Sequence, residues 1–216
     1  MEGALAAKRL SSPFTPIFSP VVPPNPHAPR ANCAIASPMT AAASRKSAAA
    51  HAPPVQAAIV VAGVVAMWGA SFVSIPIGPV PITLQTFAVC VLAGLFGGRL
   101  GLAIVLAWLV AAALGAPVLA NGAGGWKAVS GPTAGYLAGM AVAAWVCGEG
   151  ARRASGWLPL TLVFLGGHVI VLAAGWAGLA GVMNPGPAFQ SGVLPLLPGA
   201  AVKSLAAALT VRLVSR

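Results

Sequence analysis

The chain has 216 residues, of which 58% are hydrophobic and only 6% are charged. A soluble domain carries about 25% charged residues, so this composition excludes a water-soluble surface and places the protein in a bilayer. The formal charge of +10 does not point to nucleic acid, because the basic residues are scattered or sit at the ends of apolar segments rather than on one polar face.

Residues 1–54 stand apart from the rest. They are rich in Ala, Ser and Pro, and carry Lys8, Arg9, Arg30, Arg45 and Lys46 against one acid, Glu2. They lack the uninterrupted apolar core of a secretory signal. Basic, Ser-rich and acid-poor is the character of an organelle transit peptide. The prolines favour a chloroplast leader over a mitochondrial one, which needs an amphipathic helix. The alternative is a disordered tail with no address. Cleavage is expected between Ala43 and Pro54.

A spanning helix needs about 20 mostly apolar residues. Six candidates follow within 55–216: near 55–73, 83–97, 100–114, 132–152, 158–180 and 198–214, the last with a loose lead-in from Gly192. Pro132 is a good first-turn residue for the fourth. Two candidates are short, which predicts tilt or a partly buried end. With six spans, Arg99, Arg152, Arg153, Arg212 and Arg216 all fall on one side, and the opposite loops carry only Lys127. The positive-inside rule then puts both termini on the inner side, the stroma in a plastid. The connections 74–82, 116–131 and 181–198 share the outer face. The expected fold class is an all-α membrane protein of six transmembrane helices. No convincing internal repeat occurs.

Missing chemistry narrows the function. Glu149 is the sole acid of the membrane region and lies beside Arg152 and Arg153, so a local ion pair is expected rather than the carboxylates of an ion-coupled transporter. His168, the one histidine there, has no acidic or cysteine neighbour along its helix face and reads as a satisfied interior residue. Cys33, Cys90 and Cys147 form no metal or disulfide pattern. No phosphate-binding Gly-x-x-x-x-Gly-Lys-Ser/Thr loop is present. The chain is not expected to be an enzyme, and any ATP hydrolysis would fall to another subunit.

What remains is positional. The first segment carries Ala58, Ala62, Ala66 and Ala70 at four-residue intervals, with Gly63 beside them. Such a small-residue face either docks a partner helix or makes an interior contact. The stretch Ile75-Pro-Ile-Gly-Pro-Val-Pro-Ile-Thr-Leu-Gln-Thr86 cannot be an ordinary helix, because its three prolines lack donors and push the preceding residues out of the α region. Irregular backbone at membrane depth must be buried in protein or line a cavity, which marks Thr83 and Gln85. In Pro117-Val-Leu-Ala-Asn-Gly-Ala-Gly-Gly-Trp126, glycines such as Gly125 let the backbone approach a ligand. Asn121 adds donors and acceptors there, and Trp126 an apolar wall. Tyr136 either bonds a ligand or anchors at the interface. Lys203 lies inside an apolar segment without a pairing residue on its own face. It either snorkels outward or contacts a ligand or Asn121.

The proline stretch, Gly131-Pro-Thr-Ala-Gly-Tyr-Leu137 and Leu197-Pro-Gly-Ala-Ala-Val-Lys203, in this order, resemble the BioY biotin-uptake proteins, the substrate-capturing S-components of energy-coupling-factor (ECF) transporters. The resemblance covers roughly residues 55–214. It implies a six-helix S-component that binds biotin from the outer side, as a transported ligand and not a cofactor. It implies a transmembrane coupling subunit and two ATPase subunits as partners, with the Ala58, Ala62 and Ala66 face as the docking surface. Asn121 and Lys203 match two family binding residues. The family's Leu-Pro-Gly-Asp-x-x-Lys motif has Ala200 in place of its Asp, which removes an acceptor for a ureido N–H. A weakened site, a relative of biotin as ligand, or a structural protein without ligand are the alternatives.

Overall fold

In a computed structural model, the described residues are 53–76 and 78–215. The leader expected over residues 1–54 lies outside them, except that Pro53 and Pro54 form the first turn of helix α1. Prolines suit that turn because its N–H groups have no intrahelical partner.

Among the described residues, six longer helices make the bundle: α1 (Pro53–Ser71), α2 (Gln85–Phe96), α3 (Gly98–Ala113), α4 (Ala134–Ala151), α5 (Trp157–Ala180) and α6 (Leu197–Val214). Among the described residues, Pro53–Ser71, Trp157–Ala180 and Pro185–Val214 are long and apolar enough to cross a membrane, and α2 and α3 are shorter apolar helices. The boundaries correct the sequence reading in three places. The second segment starts at Gln85, not Thr83, because Thr83 is drawn into a strand pair. The fourth starts two residues after Pro132. The loose lead-in to α6 is a short helix, Pro185–Gly192, followed by a 3-10 turn, Leu194–Leu196.

The proline stretch folds as a clip. Strands β1 (Ser74–Ile75) and β2 (Ile82–Thr83) pair antiparallel, Ser74 with Thr83 and Ile75 with Ile82. Leu84 N–H donates to the Val73 carbonyl at 3.2 Å, closing its base. Val80 is buried beneath it.

The largest interface joins α4 and α5. Its cause is a stripe of small residues at four-residue intervals on α4: Gly135, Gly139, Ala143 and Cys147. A Cβ on Gly135 would strike the Ala174 carbonyl, and one on Gly139 would come within 2.9 Å of Val171 Cα. Lipid cannot match packing this close. On α1, Gly63 and Met67 face inward, with Ile104 of α3 against Gly63. Gly63 therefore does not belong to an outer face. Ala58, Ala62 and Ala66 do, and are exposed.

The α2–α3 corner is the single residue Gly97, at φ 86°. The corner lies against Gly148 of α4, where an added Cβ would overlap the Gly97–Gly98 backbone. Gly148→Val is expected to destabilise the fold by about 1–3 kcal/mol, the usual overpacking penalty, seen as a lower melting temperature in detergent. Arg99, Glu149, Arg152 and Arg153 surround one hollow at this end, together with Gln56 near the start of α1. Glu149 pairs with Arg152 at 3.7 Å.

Candidate binding site

A cavity of about 330 Å³ opens at the other end of the bundle. The clip supplies Val80, Pro81 and Thr83, and the first turn of α2 supplies Gln85 and Thr86. The α3–α4 connection supplies Leu119, Asn121 and Lys127. The remaining walls come from Tyr136, Leu137 and Met140 of α4, His168, Val171 and Leu172 of α5, and Ala200 and Lys203 of α6. Most of this surface is apolar, with a few convergent polar groups, the usual build of a small-molecule site.

Lys203 neither snorkels nor meets Asn121. Its Nζ donates to the Thr83 carbonyl at 2.6 Å and to Thr86 Oγ1 at 3.4 Å. The Thr83 carbonyl is available because the clip ends there, before the ladder of α2 begins. One ammonium thus ties α6 to the clip. Thr83 Oγ1 donates to Gln85 Oε1 at 3.3 Å, while the buried Gln85 Nε2 has no partner among the described residues.

Asn121 sits at φ 57° and ψ 27° within the 3-10 turn Ala120–Gly122, a left-handed geometry that Asn tolerates better than other side-chain-bearing residues. The turn is held from both flanks. Trp108 Nε1 donates to the Val118 carbonyl at 3.0 Å, and Gly125 N–H donates to the Ala112 carbonyl at 2.7 Å. Gly125 therefore spends its backbone on α3 rather than facing the cavity.

Tyr136 is buried, not an interface anchor. Its ring lines the cavity and its hydroxyl donates to the Gly192 carbonyl at 2.9 Å, fastening the lead-in of α6 to α4. Trp126 departs from expectation most clearly. It opens the one-turn helix Trp126–Val129, is 71% exposed and does not line the cavity. The turn directs Lys127 and Ala128 to the cavity and leaves the indole outside. Trp126→Ala is accordingly expected to leave ligand affinity within about twofold of native, because no buried contact is lost; equilibrium binding checks this.

Lys127, Thr86 and His168 are among the polar lining residues that the sequence reading did not place in a site. Lys127 looked like the odd charge of the outer loops. Thr86 closed the proline stretch and also fell within the 83–97 segment, and was not singled out. His168 looked like packing, yet an ionisable residue at membrane depth is a functional candidate by default, and that signal was present. Its Nδ1 lies 3.0 Å from the Phe164 carbonyl and 3.0 Å from Ser204 Oγ, with Cys90 Sγ at 3.9 Å. Its Nε2 has no partner among the described residues. Among the described residues, two ammonium groups line the cavity and no carboxylate does.

The profile of the BioY family matches residues 40–216. The chain belongs to the BioY family. It is 38% identical over 136 residues to the probable biotin transporter BioY of Pyrococcus horikoshii, covering 62% of this chain and 80% of that one. It is 37% identical over 147 residues to the biotin transporter BioY of Rhizobium etli, covering 63% and 78%. The crystal structure of the S-component for biotin from an ECF-type ABC transporter superimposes with a TM-score of 0.69 at 26% identity, over 74% of this chain and 91% of that one. This BioY chain is thus an integral membrane protein with an all-α S-component fold. Its cavity brings Asn121, Ala200 and Lys203 together on one hollow.

Proposed function

We propose that this protein captures biotin at a membrane, as the substrate-binding subunit of an ECF-type transporter. One observation carries the reading: Asn121 and Lys203, on separate elements 82 positions apart in the chain, line a single apolar-walled cavity large enough for a small molecule. The ureido head lies deep, with its carbonyl accepting from Lys203. The ring and tail lie against Leu119, Met140 and Val171. The tail carboxylate is drawn to Lys127, with no cavity carboxylate to repel it. Retention of labelled biotin by the purified full chain is the direct test; failure to bind at any concentration up to the millimolar range would reject the reading. Asn121 is exposed at the cavity mouth, and Asn121→Ala is expected to weaken binding about tenfold, the loss of a polar partner that the ligand would cover combined with strain at a positive φ, measured by the same assay.

Ala200 favours a second reading, in which the ligand is a relative of biotin or none is bound. A thermal-shift scan across vitamins separates the two, since a ligand of the native state raises the melting temperature by mass action.

Transport requires a coupling subunit and two ATPase subunits. The exposed Ala58, Ala62 and Ala66 face of α1 is the docking surface. The arginine-rich end faces the inner compartment, and the leader directs the protein to a plastid envelope. A fluorescent fusion of residues 1–54 tests the address; a diffuse cytosolic signal would reject it.

A further inference from the structure

We infer that His168 Nε2 is the acceptor for a ureido N–H of the ligand, filling the role left open by Ala200. This rests on the biotin reading above. The first step is the position of the imidazole proton. A carbonyl oxygen can only accept, so Nδ1, at 3.0 Å from the Phe164 carbonyl, must be the protonated nitrogen. Ser204 agrees: its hydroxyl donates to the Ala200 carbonyl at 2.8 Å and is left to accept from Nδ1 at 3.0 Å. The opposite tautomer would set two lone pairs against each other. Neutral His168 therefore carries its bare lone pair on Nε2.

That lone pair is buried without a partner among the described residues, in a residue only 4% exposed that lines the cavity. Burying an acceptor unpaired is unfavourable, so a donor is called for. The ring also borders a void too small for a water molecule, shared with Thr86 and Val171, so a ligand donor reaches Nε2 only as these side chains give way. Ser204 joins the ring directly to the turn that carries Ala200. Position 200 and His168 thus belong to one wall, with Lys203 next to Ser204 in sequence. A carboxylate at 200 and an imidazole nitrogen at 168 are alternative acceptors for the same ligand edge, opposite the Lys203 donor.

The test uses the purified full chain and labelled biotin, with four proteins: native, His168→Phe, Ala200→Asp and the double variant. Phe fills the ring's space, leaves Ser204 bonded to Ala200 and removes the acceptor. The expected result is about tenfold weaker binding for His168→Phe, and recovery in the double variant to within about threefold of native. A biotin analogue methylated on the ureido nitrogens adds a second readout: it should bind the native chain poorly and lose nothing further in His168→Phe. Native affinity in His168→Phe would overturn the inference. So would an equal fractional loss on adding His168→Phe to Ala200→Asp, since a purely structural role is indifferent to position 200. If the native chain binds no biotin, the functional reading fails first and the inference with it; binding by the native chain with no effect at 168 sinks the inference alone. Melting temperatures of the variants identify any failure to fold.

Discussion

Lys203→Ala should weaken biotin binding by about one to two decades, the loss of a charged hydrogen-bond donor from a buried site. The ammonium already holds the Thr83 carbonyl at 2.6 Å, so the substitution removes both a ligand donor and the tie between α6 and the clip. Lys203→Met keeps most of the stem and separates charge from packing. If the ammonium acts on the ligand, both variants lose affinity alike. If it acts only by bracing the clip, both lose thermal stability while the remaining binding is close to native. Undiminished retention by both would remove Lys203 from the site.

Ala200→Asp carries the second large effect, in the opposite direction. Position 200 lies three residues before Lys203 on α6, so the new carboxylate and the ammonium fall on neighbouring positions of one helix face. The pair offsets much of the desolvation that an isolated buried carboxylate would suffer. A ureido N–H bonded to a carboxylate is worth about 1.5–3 kcal/mol, again one to two decades, and the gain is read in full on the His168→Phe background, where no imidazole competes for that edge. Isothermal titration with biotin reads it directly. In the native background the gain is small because His168 already serves that donor, and no gain on either background would remove position 200 from the ligand's edge.

The six helices were legible because apolar runs and prolines mark spans and their ends strongly. The two-residue strand pair was not, since Ser74 and Thr83 meet only once the intervening prolines have bent the chain back. Asn121 and Lys203 could be singled out because polar groups are rare here. Trp126 misled because an indole beside glycines suggests a ligand wall, and only the phase of a one-turn helix decides which way it faces. The small-residue stripe was found on α1, where it is exposed, and missed on α4, where Gly135 and Gly139 pack against α5. In a chain this rich in Ala and Gly, such stripes occur on many faces, and spacing does not say which one is buried.

Helix α2 has 12 residues. At 1.5 Å per residue it is about 18 Å long, well short of the roughly 30 Å hydrocarbon thickness. Its far end is fixed beside Arg99, at the charged rim. Its near end, where Gln85 and the clip begin, lies about that one short rod away from the charged rim. The cavity is therefore set into the bundle by the shortness of α2, and the clip makes up the rest of the span at that end.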